Sequence, residues 1–265
     1  MENKRLIKVP IMADIAAQNK KAEYLFWVGS AGSYDDRAKK ITRAFVKILE
    51  HCKVSYAVLG TEETDSGEVA RRAGNEFLFQ MQAMQNIETL KMYDVKKIIT
   101  CDPHEFNTFK NEYPDLDGNY EVYHHTQIID KLIKEGKLSL NDKEFSGKRI
   151  TYHDPCYLGR GNDIFDEPRF ILSKLNSELV EMKQNRGRSL CCGAGGAQMF
   201  KEAESGDKEV YELRTEQALE QKPDYIATAC PFCMTMMEDG LKMKEKQDKI
   251  KVLDIAEIII ESKNL

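Results

Sequence analysis

The sequence lacks any apolar run long enough to cross a membrane. A transmembrane helix needs about 18 apolar residues or more, whereas the best candidate, residues 252–260, is short and carries Asp254 and Glu257. Residues 1–21 mix charges of both signs and lack the apolar core and small-residue cleavage site of a signal peptide. We therefore expect a cytoplasmic protein, to which any membrane attachment would come through a partner.

Basic tracts and a nucleotide-binding fingerprint are also lacking. The 39 Lys and Arg against 44 Asp and Glu give a net charge of −5, and no Lys/Arg cluster forms the footprint of a nucleic-acid-binding protein. No Gly-rich motif of the Rossmann type is present to hold a flavin or a nicotinamide. Nucleic acid is thus not an expected partner, and hydride chemistry would need another subunit.

The two halves of the sequence repeat one another. Residues 25–30 align with residues 151–156 at an offset of 126, and residues 54–59 and 65–67 align at the same offset with the segments from Val180 and Cys191. With two more residues inserted, residues 98–105 align with residues 226–233 at an offset of 128. Repetition on this scale predicts two copies of one structural unit.

Each half alternates short apolar strands with loops and helices. Residues 24–28 and 55–59 are predicted strands. Between them, apolar residues recur at helical spacing, namely Ala38, Ile41, Ala44, Phe45, Ile48 and Leu49. This alternation predicts an α/β fold of two tandem, pseudo-symmetric repeats, each a small parallel sheet flanked by helices, with ligands at the carboxyl ends of the strands.

The expected organisation has three parts. We predict an N-terminal extension over residues 1–20, a first repeat over residues 21–147 and a second repeat over residues 148–265. The boundary between the repeats falls in the polar segment 138–148, which is rich in turn-forming residues. With 42% apolar content, 265 residues suffice for two such units, each with its own core.

Cysteines carry the strongest chemical signal. Seven cysteines in a chain that the cell keeps reduced favour metal ligands or redox thiols over disulfides. Five of them are grouped in three loops of the second half, namely Cys156, Cys191, Cys192, Cys230 and Cys233. Soft anionic sulfur suits an iron-sulfur cluster, and Gly193, Gly195 and Gly196 would let backbone N–H groups approach its sulfides. Two alternatives stay open on these residues alone: a structural zinc site that uses four thiolates, and a redox-active dithiol at the last Cys-x-x-Cys.

Three segments of the second half, HDPCYLGR, CCGAGGAQMF and ACPFC, resemble the cysteine-rich CCG domain found in heterodisulfide reductase, in the glycolate oxidase iron-sulfur subunit and in lactate-utilisation proteins. SYDDRAKKITRAF, ARRAGNEFLFQ and NTFKNEYPDL are similar to the first repeat of that family. The resemblance implies that the five grouped cysteines ligate one four-iron cluster, which is noncubane in the best-described members. It also implies an oxidoreductase subunit that exchanges electrons with a flavin- or ferredoxin-domain partner, itself in some cases membrane-associated.

The first half keeps the frame of the repeat but not its thiols. The corresponding positions hold Ser30, Asp65, Ser66, Asp102 and Glu105. Oxygen ligands suit Mg or Ca far better than a sulfide-bridged cluster, so we expect one cluster per chain. We expect the acids to line a vacated, water-filled pocket and to reach solvent; a hard-cation or substrate site is the alternative.

The remaining cysteines and histidines are expected to be structural. Cys52 lies at the end of an apolar helix and is predicted to be a small core residue, and Cys101 alone cannot hold a cluster. His124, His125 and His153 are predicted to start a helix or to support neighbouring groups rather than to ligate metal.

Two functions compete. The first is an iron-sulfur electron-transfer subunit of an oxidoreductase complex, in which no residue of this chain is assigned as catalytic. The second is a scaffold or docking protein that zinc or an inert cluster stabilises.

Overall fold

The computed structural model describes residues 8–140, 144–202 and 205–263. Part of the predicted N-terminal extension (residues 1–7) and part of the predicted boundary segment (residues 141–143) therefore lie outside the described residues. Across the described ranges, we find no helix that is both long and apolar enough to span a membrane.

The first half forms a four-stranded parallel sheet in the order β2-β1-β3-β4. Its strands are β1 (Tyr24–Trp27), β2 (Tyr56–Ala57), β3 (Lys97–Thr100) and β4 (Glu121–His124). The helices are α1 (Met12–Ala17), α2 (Gly29–Tyr34), α3 (Ala38–His51), α4 (Glu68–Arg72), α5 (Glu76–Met92), α6 (Pro103–Asn107) and α7 (His125–Lys134). A π-helical turn and a 3-10 turn follow α6, over Thr108–Glu112 and Tyr113–Leu116.

The second half repeats this architecture with the strand order β6-β5-β7-β8, again all parallel. Its strands are β5 (Arg149–Tyr152), β6 (Glu178–Leu179), β7 (Tyr225–Thr228) and β8 (Lys251–Asp254). The helices are α8 (Asp166–Ser173), α9 (Val210–Glu220), α10 (Pro231–Met243) and α11 (Ile255–Lys263). The predicted fold class, two pseudo-symmetric parallel α/β repeats, is confirmed.

Strand registers test the predicted offsets directly. Leu25 pairs with Ile98 in the first sheet, and the residues at offsets of 126 and 128, Thr151 and Ile226, pair in the second. At the second strand the predicted offset is wrong, because Tyr24 pairs with Tyr56 whereas its equivalent Ile150 pairs with Leu179. Each of these strands has only two residues, too short an apolar match to fix an alignment by sequence.

Residues of β1 alternate between two apolar cores, as a central strand with helices on both faces requires. Tyr24 and Phe26 face one core, whereas Leu25 and Trp27 face the other. The predicted apolar face of α3 is buried in the first of these cores. That core also contains residues of β5, β7, α10 and α11, so the two halves share it.

Two sets of polar contacts connect the halves. The guanidinium of Arg37 forms a bidentate ion pair with the Glu257 carboxylate, with N–O distances of 2.7 and 2.9 Å. Its Nε lies 2.6 Å from a carboxylate oxygen of Glu238. His125, the first residue of α7, lies 3.0 Å from a carboxylate oxygen of Asp254, and both are fully buried. The halves are therefore held in one orientation by charged groups as well as by apolar packing.

Candidate metal centre

The five grouped cysteines lie at the carboxyl edge of the second sheet. Cys156 follows β5, Cys191 and Cys192 lie in the long loop after β6, and Cys230 directly follows β7. Cys230 is also the N-cap of α10, where its Sγ accepts a 3.5 Å hydrogen bond from the Cys233 amide. Pro at the first helical position has its φ preset for the helix, and this rigid start places the thiols of the Cys-x-x-Cys side by side.

Their sulfur atoms form one group. Cys156 Sγ lies 4.0 Å from Cys191 Sγ, and Cys192 Sγ lies 3.3 Å from Cys233 Sγ. Cys156 also interacts electrostatically with Cys192 and Cys230, which connects the two pairs. Cys192, Cys230 and Cys233 are buried, whereas Cys156 and Cys191 are half-buried. The structure thus brings all five predicted ligands together, with two at the solvent side.

The thiols share protons through hydrogen bonds. The pKa of Cys156 is raised by its hydrogen bond with Cys191 and by burial. The pKa of Cys191 is lowered by its hydrogen bonds with Cys156 and Cys192. Burial alone would raise the pKa of Cys230, but hydrogen bonds from Cys233 and His104 hold it at about 6. Metal binding requires thiolates, and the group is arranged so that some of them are already favoured.

A buried histidine-arginine pair supplies unused hydrogen-bond donors beside these sulfurs. Arg214 Nε donates to His153 Nδ1 at 2.9 Å, and burial lowers the His153 pKa to about 3. The ring is therefore neutral and carries its proton on Nε2. That Nε2 and Arg214 Nη2 are buried with no partner among the described residues, and a His153 ring nitrogen lies within 4.8 Å of the Cys192 and Cys233 sulfurs.

The buried donors without partners among the described residues indicate which metal group fits the site. A buried donor without an acceptor is costly, and the inorganic sulfides of an iron-sulfur cluster would be acceptors in that space. A closed tetrahedral zinc site uses four thiolates and brings no acceptors of its own. Five grouped thiols, together with a neighbouring histidine whose donor has no partner among the described residues, therefore fit a cluster better than zinc.

The glycine loop after Cys192 approaches the sulfurs with its backbone. Gly193 has a φ of +91°, and its amide donates to Cys191 Sγ at 3.3 Å. Gly196 also has a left-handed φ, of +69°. A Cβ added at Gly195 would lie 3.8 Å from His104 Cε1. The Gly193 amide thus reaches a cysteine sulfur, while the predicted approach of Gly193, Gly195 and Gly196 to the sulfides of a cluster stays a prediction.

Two of the acids at the corresponding site of the first half are buried. Glu105 is 5% exposed and Asp102 is 4% exposed, so the expectation that these acids reach solvent is wrong. Burial raises the pKa of Glu105 well above its usual range, which favours the neutral acid, even though Ser66 donates a hydrogen bond to it.

The other replaced positions serve their own loop. Asp65 accepts a 2.8 Å hydrogen bond from the Gly67 amide, Ser66 is buried, and Ser30 lies in the first turn of α2, half-buried. Nearby, the Glu63 carboxylate accepts hydrogen bonds from the amides of Val28 and Gly29, at 3.1 and 2.7 Å. The half-buried side chain of Glu63 thus stabilises the loop whose equivalent carries Cys156.

Two residues near the thiols could not be found from the sequence. The repeat places His104 opposite Phe232 and Arg214 opposite Asn86, so neither position shows a shared chemical type. His104 belongs to the first half yet lies beside Cys230, which only the packing of the halves could reveal. Of the other histidines, His124 is the N-cap residue of α7, His125 contacts Asp254, and His153 accepts a hydrogen bond from Arg214.

Comparison with known proteins places this geometry in context. The chain is 48% identical over 256 residues to the probable iron-sulfur-binding oxidoreductase FadF of Bacillus subtilis, over 96% of this chain and 36% of that protein. It is 44% identical to the EtfAB:quinone oxidoreductase of Syntrophomonas wolfei, over 91% of this chain and 34% of that protein. It is 34% identical to one subunit of the dihydromethanophenazine:CoB–CoM heterodisulfide reductase of Methanosarcina barkeri, over 92% of this chain and 60% of that protein.

The chain therefore spans about a third of the length of the first two relatives and less than two thirds of the last. The family profile described as "Cysteine-rich domain" (CCG) matches two segments, residues 24–110 and 150–238. Each begins within the first strand of one sheet and includes the loops that carry the thiols or their replacements. The predicted resemblance is confirmed, and the chain belongs to the cysteine-rich CCG domain family.

Proposed function

We propose that this chain is an iron-sulfur electron-transfer module of a larger oxidoreductase. One four-iron cluster is held by Cys156, Cys191, Cys192, Cys230 and Cys233. The observation that carries the proposal is the convergence of five free thiols on one sheet edge beside buried donors that lack acceptors among the described residues. The cluster-bearing unit is assigned to residues 148–265 and the cluster-free unit to residues 21–147.

Each part of the site has a distinct role in this proposal. The thiolates bind iron, and the Gly193 amide, His153 and Arg214 donate hydrogen bonds that stabilise negative charge on sulfur. When bound, a four-iron cluster supplies a redox couple whose potential depends on such hydrogen bonds and on burial. Cys156 and Cys191, being half-buried, form the side of the site that a redox partner can approach.

The partner is proposed to be a flavin- or ferredoxin-domain protein or domain. The relatives named above are oxidoreductases or parts of them and are longer than this chain, so the proposal assigns donor and acceptor chemistry to parts beyond this module. A reducing, cytoplasmic setting belongs to the same proposal, because the clustered thiols must stay reduced to bind iron.

Anaerobic reconstitution tests the proposal against the zinc scaffold. The protein is loaded with iron and sulfide, or with zinc, and each form is titrated with a reductant while EPR and visible spectra are recorded. We expect stable iron and acid-labile sulfide and a reversible reduction. Tight zinc binding with four thiolates, together with failure to retain sulfide, would favour the scaffold and end the electron-transfer proposal.

A further inference from the structure

A histidine of the cluster-free half lies against the thiols of the other half. His104 is in α6, which follows β3 of the first sheet, and its side chain is buried. Its ring centroid lies 4.6 Å from that of Tyr157 and 5.1 Å from that of Phe232, both of the second half. His104 and Phe232 occupy equivalent positions of the two repeats, so they meet near the pseudo-symmetry axis.

The orientation of the His104 ring is fixed by a carboxylate. Its Nδ1 lies 3.1 Å from an oxygen of Glu68, which is 5% exposed. The same oxygen lies 3.3 Å from Nε of Arg72, so Glu68 is itself held in place. An imidazole whose one nitrogen is bound by a carboxylate presents the other in a defined direction.

The ring of His104 also lies beside the Cys-x-x-Cys of the second half. A nitrogen of His104, a carboxylate oxygen of Asp102 and Cys230 Sγ all lie within 4.8 Å of one another. Once Cys230 binds iron it has no proton to donate. A ring nitrogen between a thiolate and a carboxylate then interacts favourably only as an N–H donor.

We propose that His104, oriented by Glu68, donates a hydrogen bond across the interface to the Cys230 sulfur and thereby raises the reduction potential of the cluster. The inference rests on the proposed function above. Reduction adds negative charge to the cluster, and a donor to a ligand sulfur stabilises that charge. The cluster-free half is thus a positioning and tuning element for the cluster of the other half.

Substitution of His104 by Phe is the sharpest test, because Phe is the residue that the second repeat carries at this position. The ring and its packing are kept, and the donor is removed. We expect the loaded His104→Phe protein to keep the iron and sulfide of the wild type. Its equilibrium constant for reduction should fall about tenfold, equal to about 59 mV for one electron.

Three further proteins complete the design. His104→Gln retains an N–H donor and should lie between the wild type and His104→Phe. Glu68→Gln should lower the potential by a smaller amount than His104→Phe, because the ring loses its anchor. His51→Gln changes an exposed histidine and should leave the potential unchanged. All are measured by EPR-monitored redox titration.

The outcomes are separable from those of the proposed function. A wild-type chain with no reversible couple would end the proposed function itself. A normal wild type with an unshifted His104→Phe protein would end only the inference about His104. If His104→Phe loses its cluster, His104→Gln and Glu68→Gln decide: lowered potentials support the inference, and wild-type potentials in both overturn it.

Discussion

The two halves share one backbone frame but fill its functional edge in opposite ways. At the position of His153 the first half has Trp27, which is fully buried and packs against Phe109 with ring centroids 4.7 Å apart. At the position of Arg214 it has Asn86, which donates to the Asp65 carbonyl at 2.9 Å. The polar pair near the sulfurs in one half thus corresponds in the other to a satisfied amide and to a packed indole ring, whose Nε1 also lacks a hydrogen-bond partner among the described residues.

This difference distinguishes the residues that stabilise the fold from the residues that would support a cluster. In the first half, the side chains of Glu63 and Asn86 stabilise the loops by hydrogen bonds to backbone groups. In the second half, the equivalent loops carry thiols, and His153 and Arg214 hold donors that lack partners among the described residues. We therefore expect the first half to fold without metal and the second half to gain stability from it.

The largest effect is expected from removing a buried thiol of the second half. Cys192→Ser or Cys230→Ser should abolish the cluster, because oxygen is a poor ligand for sulfide-bridged iron. Iron, sulfide and the visible spectrum of the anaerobic protein measure this. Cys52→Ser, which changes a half-buried thiol outside the group, is the control; full iron in both ligand variants would contradict the ligand assignment.

A matched pair of substitutions on equivalent helices sharpens the comparison. Arg214→Met should weaken iron retention about 10–100-fold, the usual cost of losing a group that supports metal ligands. Asn86→Leu, at the equivalent position of the first half, should lower folding stability and leave iron retention unchanged. The rate of iron loss to a chelator is the measurement, and equal rates for Arg214→Met and wild type would refute the role of Arg214.

Breaking the Arg37–Glu257 ion pair between the halves should lower folding stability and leave the metal content unchanged. Arg37→Met leaves the buried carboxylate of Glu257 without its partner. Such a change costs about 3 kcal/mol of unfolding free energy. Chemical denaturation should show this loss while iron per folded chain stays constant. An unchanged unfolding curve would show that the Arg37–Glu257 ion pair does not stabilise the packing of the halves.

The smallest effect is expected at Glu105, one of the buried acids of the first half. The raised pKa of Glu105 means that the folded protein keeps a proton there at pH values where the unfolded chain has lost it. Stability should therefore fall as the pH rises above the ordinary carboxyl range, by at most about 1.4 kcal/mol per pH unit. Glu105→Gln should flatten this dependence between pH 5 and 6; a slope equal to that of the wild type would show that Glu105 ionises freely.

The sequence allowed the fold and the thiol group to be predicted because both leave local signals. Strand-loop-helix alternation and repeat offsets identified β1, β3, β5 and β7, and cysteines are distinctive wherever they fall. The second strand of each half was misaligned because two residues carry little pattern. His104 could not be found, since its contact with Cys230 depends on how the two repeats pack. The burial of Asp102 and Glu105 was missed for the same kind of reason, because acids are expected at the surface unless tertiary partners enclose them.

Iron and acid-labile sulfide per chain, measured after anaerobic reconstitution, test the central claim most directly. We expect about four of each per chain, from one four-iron cluster in the second half. Loss of both is expected in Cys191→Ser, and no loss in Asp65→Asn, which changes the equivalent position of the first half. About eight irons per chain, or zinc in place of iron with no sulfide retained, would contradict the account.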